Sequence, residues 1–142
     1  MIARLDRLIG CFNRRGMDVP DGLFDRDARF TLNGASFESL LGRAEEDPLV
    51  RMIARGVAAY RFAARPLLHA LDTVLVSRVE FTQEGSHARI CLALRGTLRG
   101  SADVLDERVT IDVALTSTGA IGRADVMIDE AALTKIRRAR AS

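Results

Sequence analysis

The feature that most constrains the fold is a pair of adjoining strand patterns near the end of the chain, between Glu107 and Asp129. Apolar and polar residues alternate there with a period of two, on either side of a polar turn at Thr116 to Gly119. This alternation predicts an antiparallel hairpin in a sheet. The two faces of its first strand carry Val109, Ile111, Val113 and Leu115 on one side, and Thr110, Asp112, Ala114 and Thr116 on the other.

A single acid, Asp112, lies in the middle of that strand among β-branched and small residues. A carboxylate is costly to bury unless it is paired, neutral or at the wall of a cavity. Two interpretations stay open. Asp112 is either a polar group of an internal pocket, or one half of an ion pair with an arginine of the neighbouring strand, such as Arg95.

The composition is that of a soluble globular protein. With 142 residues, of which 48% are hydrophobic and 28% charged, the chain predicts a single domain, residues 1–142. A net charge of +2 argues against an obligate nucleic-acid partner. Its start is too charged for a signal peptide, and its apolar runs are shorter than the about 20 residues of a membrane helix. We therefore expect a cytoplasmic protein with no membrane partner.

The two cysteines, Cys11 and Cys91, do not indicate a metal centre. Neither has a cysteine or histidine at the spacing of zinc ligands, so we expect reduced thiols and no metal. No cofactor is expected either.

Helical patterns dominate the first half of the chain. A helix is predicted from Ile2 to about Arg15, a helical turn over Leu23–Asp27, and a strand over Ala28–Leu32 that ends in a loop at Asn33-Gly34. Acids Glu45 to Asp47 and then Pro48 open a second helix that should end before Pro66. The predicted buried stripe of that helix is Leu49, Met52, Ile53, Val57 and Tyr60.

Strand patterns follow. They cover Leu67–Thr82 and His87–Arg99, then the hairpin, before a closing helix over Glu130–Arg140. Helices followed by an antiparallel meander predict an α+β fold with helices on one face of a bent sheet. Because the long strands have apolar residues on both faces, we expect a second copy to cover the outer face, which would make a homodimer.

This order, with Ile111-Asp112 before a turn and Gly119, resembles the nuclear transport factor 2-like superfamily. That group includes ketosteroid isomerases, scytalone dehydratase, limonene epoxide hydrolase and SnoaL-like polyketide cyclases. The resemblance covers nearly the whole chain and rests on the order of elements. It implies a cone, or cystatin-like roll, in which a strongly bent antiparallel sheet wraps around N-terminal helices and encloses one apolar pocket.

The resemblance also limits the reaction. Asp112 aligns with the acid that donates to the oxyanion in ketosteroid isomerases, but Leu8 and Leu32 fall at the positions of the tyrosine and the base. Val126 falls at or beside an acid that epoxide hydrolases need. A true ketosteroid isomerase or epoxide hydrolase is therefore not expected. His69 matches the histidine of the dehydratases, and Tyr60 is the one tyrosine available.

The resemblance thus suggests a lyase or isomerase of the dehydratase or cyclase kind, acting on a small apolar hydroxylated or carbonyl compound. His69, Asp112 and Tyr60 would be catalytic, although His69 and Tyr60 could equally be core residues. The predicted pocket lining is Leu8, Phe12, Leu32, Met52, Leu71, Ala114 and Val126.

The alternative is a ligand-binding module or a structural dimerisation module of the same fold. A cavity that holds His69 and Asp112 together would favour catalysis, whereas a wholly apolar cavity would favour binding. If Ile90 and its apolar neighbours on the strand 87–99 face inward, the pocket is apolar and Arg95 is excluded from it.

Overall fold

The computed structural model describes residues 1–40 and 48–141, which form five helices and six strands. The predicted acidic first turn, Glu45 to Asp47, lies outside the described residues. In chain order the elements are α1 (Ile2–Asn13), β1 (Phe24–Leu32), β2 (Ala35–Ser36), α2 (Phe37–Leu40), α3 (Pro48–Ala54), α4 (Gly56–Ala70), β3 (Leu71–Glu84), β4 (His87–Leu98), β5 (Val104–Leu115), β6 (Ile121–Met127) and α5 (Glu130–Ala141).

The six strands form one curved sheet in the order β2-β1-β6-β5-β4-β3. The run from β3 to β6 is an antiparallel meander, as predicted, and β1 joins it in parallel with β6. Register shifts interrupt β3 and the β5–β6 pair, and bulges of this kind bend a sheet. The α+β class and the cone-like wrapping of the sheet around the helices are confirmed.

The helical turn predicted over Leu23–Asp27 is wrong, because β1 already begins at Phe24. Phe24 pairs with Ile121 of β6, so a long-range partner overrides the local preference of this short segment. The prediction that no second strand follows Asn33-Gly34 is also wrong. Both residues have positive φ, 49° and 87°, which suits a two-residue turn, and β2 pairs back onto β1.

The predicted long helix is interrupted between α3 and α4. Arg55 is extended and forms a β-bridge with Arg29, and Gly56 has φ of +63°. A Cβ atom at position 56 would lie 2.6 Å from the carbonyl oxygen of Arg26, so only glycine fits this break. Since the helical period does not continue through it, the predicted buried stripe is wrong in α3. Leu49, Met52 and Ile53 are 54%, 70% and 41% exposed there.

The predicted helix end before Pro66 is wrong, because α4 continues through this proline to Ala70. Its last turn is held from outside the helix. Arg15 donates to the carbonyl oxygens of Leu68 and Leu71, the latter at 2.8 Å, and so satisfies acceptors that a helix end leaves unpaired. As a result, residues 67–70 are helical, and β3 begins only at Leu71.

Two apolar clusters fill the space between the sheet and the helices. One joins α1 and β1 to the middle of the sheet and includes Leu8 and Ile90. The other joins α4 and α5 to β3, β4 and β5, and includes Leu71 and Leu105. α5 is tied to the sheet at its start, where Asn33 bonds Ile128 through both backbone atoms, at 2.8 and 2.9 Å.

Candidate functional site

A cavity of about 240 Å³, the inner chamber, lies between the helices and the concave face of the sheet. Every described residue of its wall is apolar except Tyr60. The wall receives side chains from α1, α2, α4 and every strand except β2, among them Leu8 and Phe12 of α1, Phe24 of β1, Ile90 of β4, Ile111 of β5 and Val126 of β6. The described wall therefore offers apolar surface and, apart from Tyr60, no polar side chain.

Tyr60 is the polar exception in this wall. Its ring lies along α4 and stacks on Phe24, with the ring centroids 5.8 Å apart. Burial of the phenol raises the pKa of Tyr60 to about 12, and the electrostatic effect of Cys11 acts in the same direction. The hydroxyl is therefore protonated at neutral pH. It makes no hydrogen bond to any residue in the part of the chain that the structure describes, so it is free to donate to a bound molecule.

A second cavity of about 400 Å³, the outer chamber, adjoins the first. The two adjoin along six shared wall residues: Phe37, Ala63, Leu67, Leu94, Val109 and Val126. The outer chamber is completed by apolar residues of β1, α4 and α5, among them Leu32, Pro66 and Leu133. It also has one cation, Arg137 of α5.

Tyr60 and Arg137 are the only titratable side chains among the described residues that line the two chambers. Neither is a base at neutral pH, because a phenol of pKa about 12 stays protonated and a guanidinium stays charged. Among the described wall residues, the site therefore supplies two side-chain hydrogen-bond donors and no base at neutral pH.

Asp112 does not face this site, and its predicted inward position is wrong. Its neighbours Ile111 and Val113 take the concave face, so the alternation of the strand turns Asp112 outward. There it accepts from Arg89 at 2.7 Å, with about half of its side chain exposed. The ion-pair interpretation is thus realised with Arg89, whereas Arg95 pairs with Asp106. Ala114 shares the outward face and lines neither chamber.

His69 also lies outside both chambers. The predicted strand position is wrong, because His69 belongs to the last turn of α4, where it is exposed and lies 2.9 Å from the guanidinium of Arg99. The structure does not bring His69 and Asp112 together at the cavity. A catalytic role for either residue stays a prediction, with no support from this geometry.

The predicted lining is realised in part. Leu8 and Phe12 line the inner chamber, Leu32 the outer one, and Val126 both. Met52 does not line them, since α3 leaves it 70% exposed. Leu71 is also not part of either wall, because it opens β3 and is fully buried in the cluster beneath α5.

The sequence left open which face of β4 points inward, and the structure shows that the apolar face does. Ile90, Leu92 and Leu94 line the inner chamber, and Arg95 is excluded from it. Arg137 was missed, since the basic end of α5 is typical of a solvated helix terminus. The signal that could have found it is its spacing, four residues after Leu133 and next to Ile136, which places it on the edge of the apolar face.

Within residues 1–40 and 48–141, no group of three or more histidine, cysteine, aspartate or glutamate side chains is arranged to hold a metal ion. Across those same residues, no helix is long and apolar enough to cross a membrane.

Comparison with solved structures identifies the fold. A candidate SnoaL-like polyketide cyclase from Jannaschia sp. CCS1 superimposes with a TM-score of 0.68, covering 95% of this chain and 89% of its own, at 16% identity. TerC, co-crystallized with polyporic acid, gives 0.66 over 96% of this chain and 97% of its own, at 12% identity. An NTF2-like protein of unknown function from Burkholderia pseudomallei K96243 gives 0.66 over 95% of both chains, at 14% identity.

These similarities establish that the chain has the nuclear transport factor 2-like fold, which confirms the resemblance inferred from the order of its elements. At these identities they establish the fold alone. No family model matches the sequence, and no curated protein matches it significantly.

Proposed function

We propose that the protein binds a small, largely apolar molecule in the inner chamber and does not transform it. The observation that carries this proposal is the wall itself, which is apolar throughout its described residues except for Tyr60. Acid–base catalysis needs a group that takes up a proton within reach of the substrate, and these walls supply none. Binding needs only the apolar surface and a donor.

The energetics point the same way. An aromatic ring system buries about 200 Å² of surface, and at about 25 cal/mol per Å² this contributes about 5 kcal/mol to binding before the cost of association. A hydrogen bond from Tyr60 to a carbonyl or ether oxygen would add about 1 kcal/mol. Shape and apolar area therefore decide affinity, and the hydroxyl of Tyr60 orients the ligand.

The fold neighbours are compatible with such a role. TerC was co-crystallized with an organic acid, polyporic acid, which is an observation about that protein. The lyase or isomerase activity suggested by the SnoaL-like and dehydratase resemblance stays a prediction for this chain. Within the described wall of the inner chamber, such an activity would have only Tyr60 to use, which at a pKa of about 12 is a hydrogen-bond donor and a poor acid.

The proposal is tested with the neutral fluorophore N-phenylnaphthylamine, whose emission rises in apolar sites. Ala63 lines both chambers and is exposed, so the larger side chain in Ala63→Phe takes up space where the two chambers adjoin and does not displace packed core residues. We expect saturable binding to the wild type and a loss of affinity of at least about tenfold in Ala63→Phe, since a large apolar contact area is removed.

Ala58→Phe is the matched control, because Ala58 is also exposed on α4 but lines neither chamber. It should bind the fluorophore as the wild type does, and circular dichroism should show both variants folded. Equal binding by Ala63→Phe and the wild type, or no saturable binding by the wild type, would contradict the proposal.

A homodimer through the convex face of the sheet also remains a prediction. That face presents ion pairs within the chain, Arg89–Asp112 and Arg123–Asp125, beside the exposed apolar side chain of Met127. Sedimentation equilibrium distinguishes a dimer of this kind from a monomer.

A further inference from the structure

One charged side chain is found among the described residues that line the two chambers, and it lies in the chamber that does not contain Tyr60. Arg137 lines the outer chamber, whereas Tyr60 lines the inner one. Among the described residues, no carboxylate forms a salt bridge with Arg137. Five other arginines do have such partners: Arg55, Arg78, Arg89, Arg95 and Arg123. The outer chamber thus combines apolar walls with an unneutralised positive charge.

The inner chamber alone is small for a ligand. Its volume of about 240 Å³ lies below the range of about 300–1,000 Å³ that small-molecule pockets occupy. A molecule of ordinary ligand size that is seated in the inner chamber would therefore extend past the shared residues Ala63 and Leu67 into the outer chamber. One end of it then meets Arg137.

We propose that the ligand is a monocarboxylic acid with an extended apolar body, held with its carboxylate at Arg137 and its body in the inner chamber. This inference rests on the proposed binding function and adds the chemical class of the ligand. A planar guanidinium matches the two oxygens of a carboxylate, and Arg137 is the one cation among the described wall residues, so it balances a single negative charge. A cationic head group would be repelled, and a neutral one would gain no ion pair.

The backbone of α5 holds Arg137 in a defined place. The side chain of Asn33 fixes the chain at Ile128, just before the helix. Its amide nitrogen donates to the carbonyl oxygen of Ile128, and its amide oxygen accepts from the backbone N–H of Ile128. Asn33 also donates to Glu130 at 2.9 Å. Ala132 and Ile136 are buried on the sheet side of α5. The cation therefore stands at a fixed edge of the chamber, although its side chain reaches solvent.

The experiment compares decanoate with decanol, which have the same apolar chain and differ in the head group, as competitors of N-phenylnaphthylamine. Arg137→Gln removes the charge. Lys135→Gln removes a charge of the same sign from an exposed residue of the same helix that lines neither chamber. Arg137 is partly solvated, so its contribution is moderated by water and by salt.

In the wild type we expect decanoate to displace the fluorophore at a concentration about threefold to tenfold lower than decanol. Arg137→Gln should abolish this preference by weakening decanoate and not decanol, and Lys135→Gln should retain it. Added salt should reduce the preference in the wild type and in Lys135→Gln, and should have no such effect in Arg137→Gln. If the ratio of the two competitors is the same in the wild type and Arg137→Gln, the carboxylate proposal is wrong while fluorophore binding still upholds the apolar site. If the fluorophore does not bind the wild type, both proposals fail.

Discussion

Two cross-strand pairs that are adjacent in sequence have opposite roles in this protein. Ile90 faces Ile111 across β4 and β5, and one residue away Arg89 faces Asp112. The first pair lines the inner chamber, and the second is a salt bridge at 2.7 Å on the convex face. The sheet therefore separates an apolar cavity wall from surface electrostatics within a single residue step. Asp112 of the hairpin belongs to the surface, and the cavity wall is built from apolar residues of the same strand.

The largest expected difference between the two faces comes from replacing one residue of each cross-strand pair, Ile90 of the apolar pair and Asp112 of the salt bridge. Ile90 is 1% exposed, so Ile90→Ala creates a cavity in the wall and should lower the free energy of unfolding by about 2–5 kcal/mol. Asp112→Asn should have a much smaller effect, because the salt bridge it breaks is largely solvated. Urea denaturation of both variants measures the difference. Similar losses from both faces would contradict the separation described above.

A second test asks whether the hydroxyl of Tyr60 serves the ligand or the fold. Tyr60→Phe keeps the ring on Phe24 and removes the only polar side-chain group among the described residues of the inner wall. Because that hydroxyl has no bond to the described part of the protein, stability should change by less than about 1 kcal/mol. Affinity for an apolar ketone should fall by about fivefold, the value of one hydrogen bond.

Isothermal titration with acetonaphthone and with naphthalene provides the measurement for Tyr60→Phe. Naphthalene has no acceptor, so its affinity should stay the same and serves as the control. A large loss of stability, or an equal loss for both compounds, would assign Tyr60 to the core instead.

The smallest expected effect lies on the convex face, at Asp125. Its partial burial opposes ionisation, but hydrogen bonds from Thr31 at 2.7 Å and from Arg123 outweigh burial and lower the pKa of Asp125 below 3.8. A carboxyl whose pKa is lower in the folded than in the unfolded state adds stability above the unfolded value. That stability is lost as pH falls through the folded value.

Asp125→Asn should therefore reduce the fall in melting temperature between about pH 5 and pH 3. Asp72→Asn removes the same charge from an exposed residue and should leave that fall unchanged, as thermal denaturation at each pH would show. If Asp125→Asn follows the wild-type profile, the hydrogen bonds from Thr31 and Arg123 do not favour the charged form.

Much of the fold follows from the sequence, because the meander and the terminal helices have strong periodic patterns. The α3–α4 break and the helical continuation past Pro66 do not follow. The break depends on an extended Arg55 that pairs with a distant strand, and the last turn of α4 depends on Arg15. Both partners become neighbours only in the folded chain, so no local pattern contains them.

The candidate site was predictable in its apolar part. Leu8 and Phe12 follow from the helical stripe of α1, and Val126 follows from the alternation in β6. The hairpin pattern offers two faces, and the resemblance to isomerases favoured the one with Asp112. The more uniformly apolar face, with Ile111, is the one that the core takes, because burial of apolar area outweighs a single aligned acid.

The parallel pairing of β1 with β6 has a consequence for how the chain reaches this structure. β1 ends at Leu32, and its parallel partner β6 begins only at Ile121. During synthesis, β1 therefore has no parallel partner until the intervening residues have been made. Pairings between such distant segments slow folding, and an unpartnered strand edge is prone to associate with other chains. During synthesis, the part of the inner chamber between β1 and β6 is therefore completed only when β6 has been made, and the outer chamber only when α5 follows.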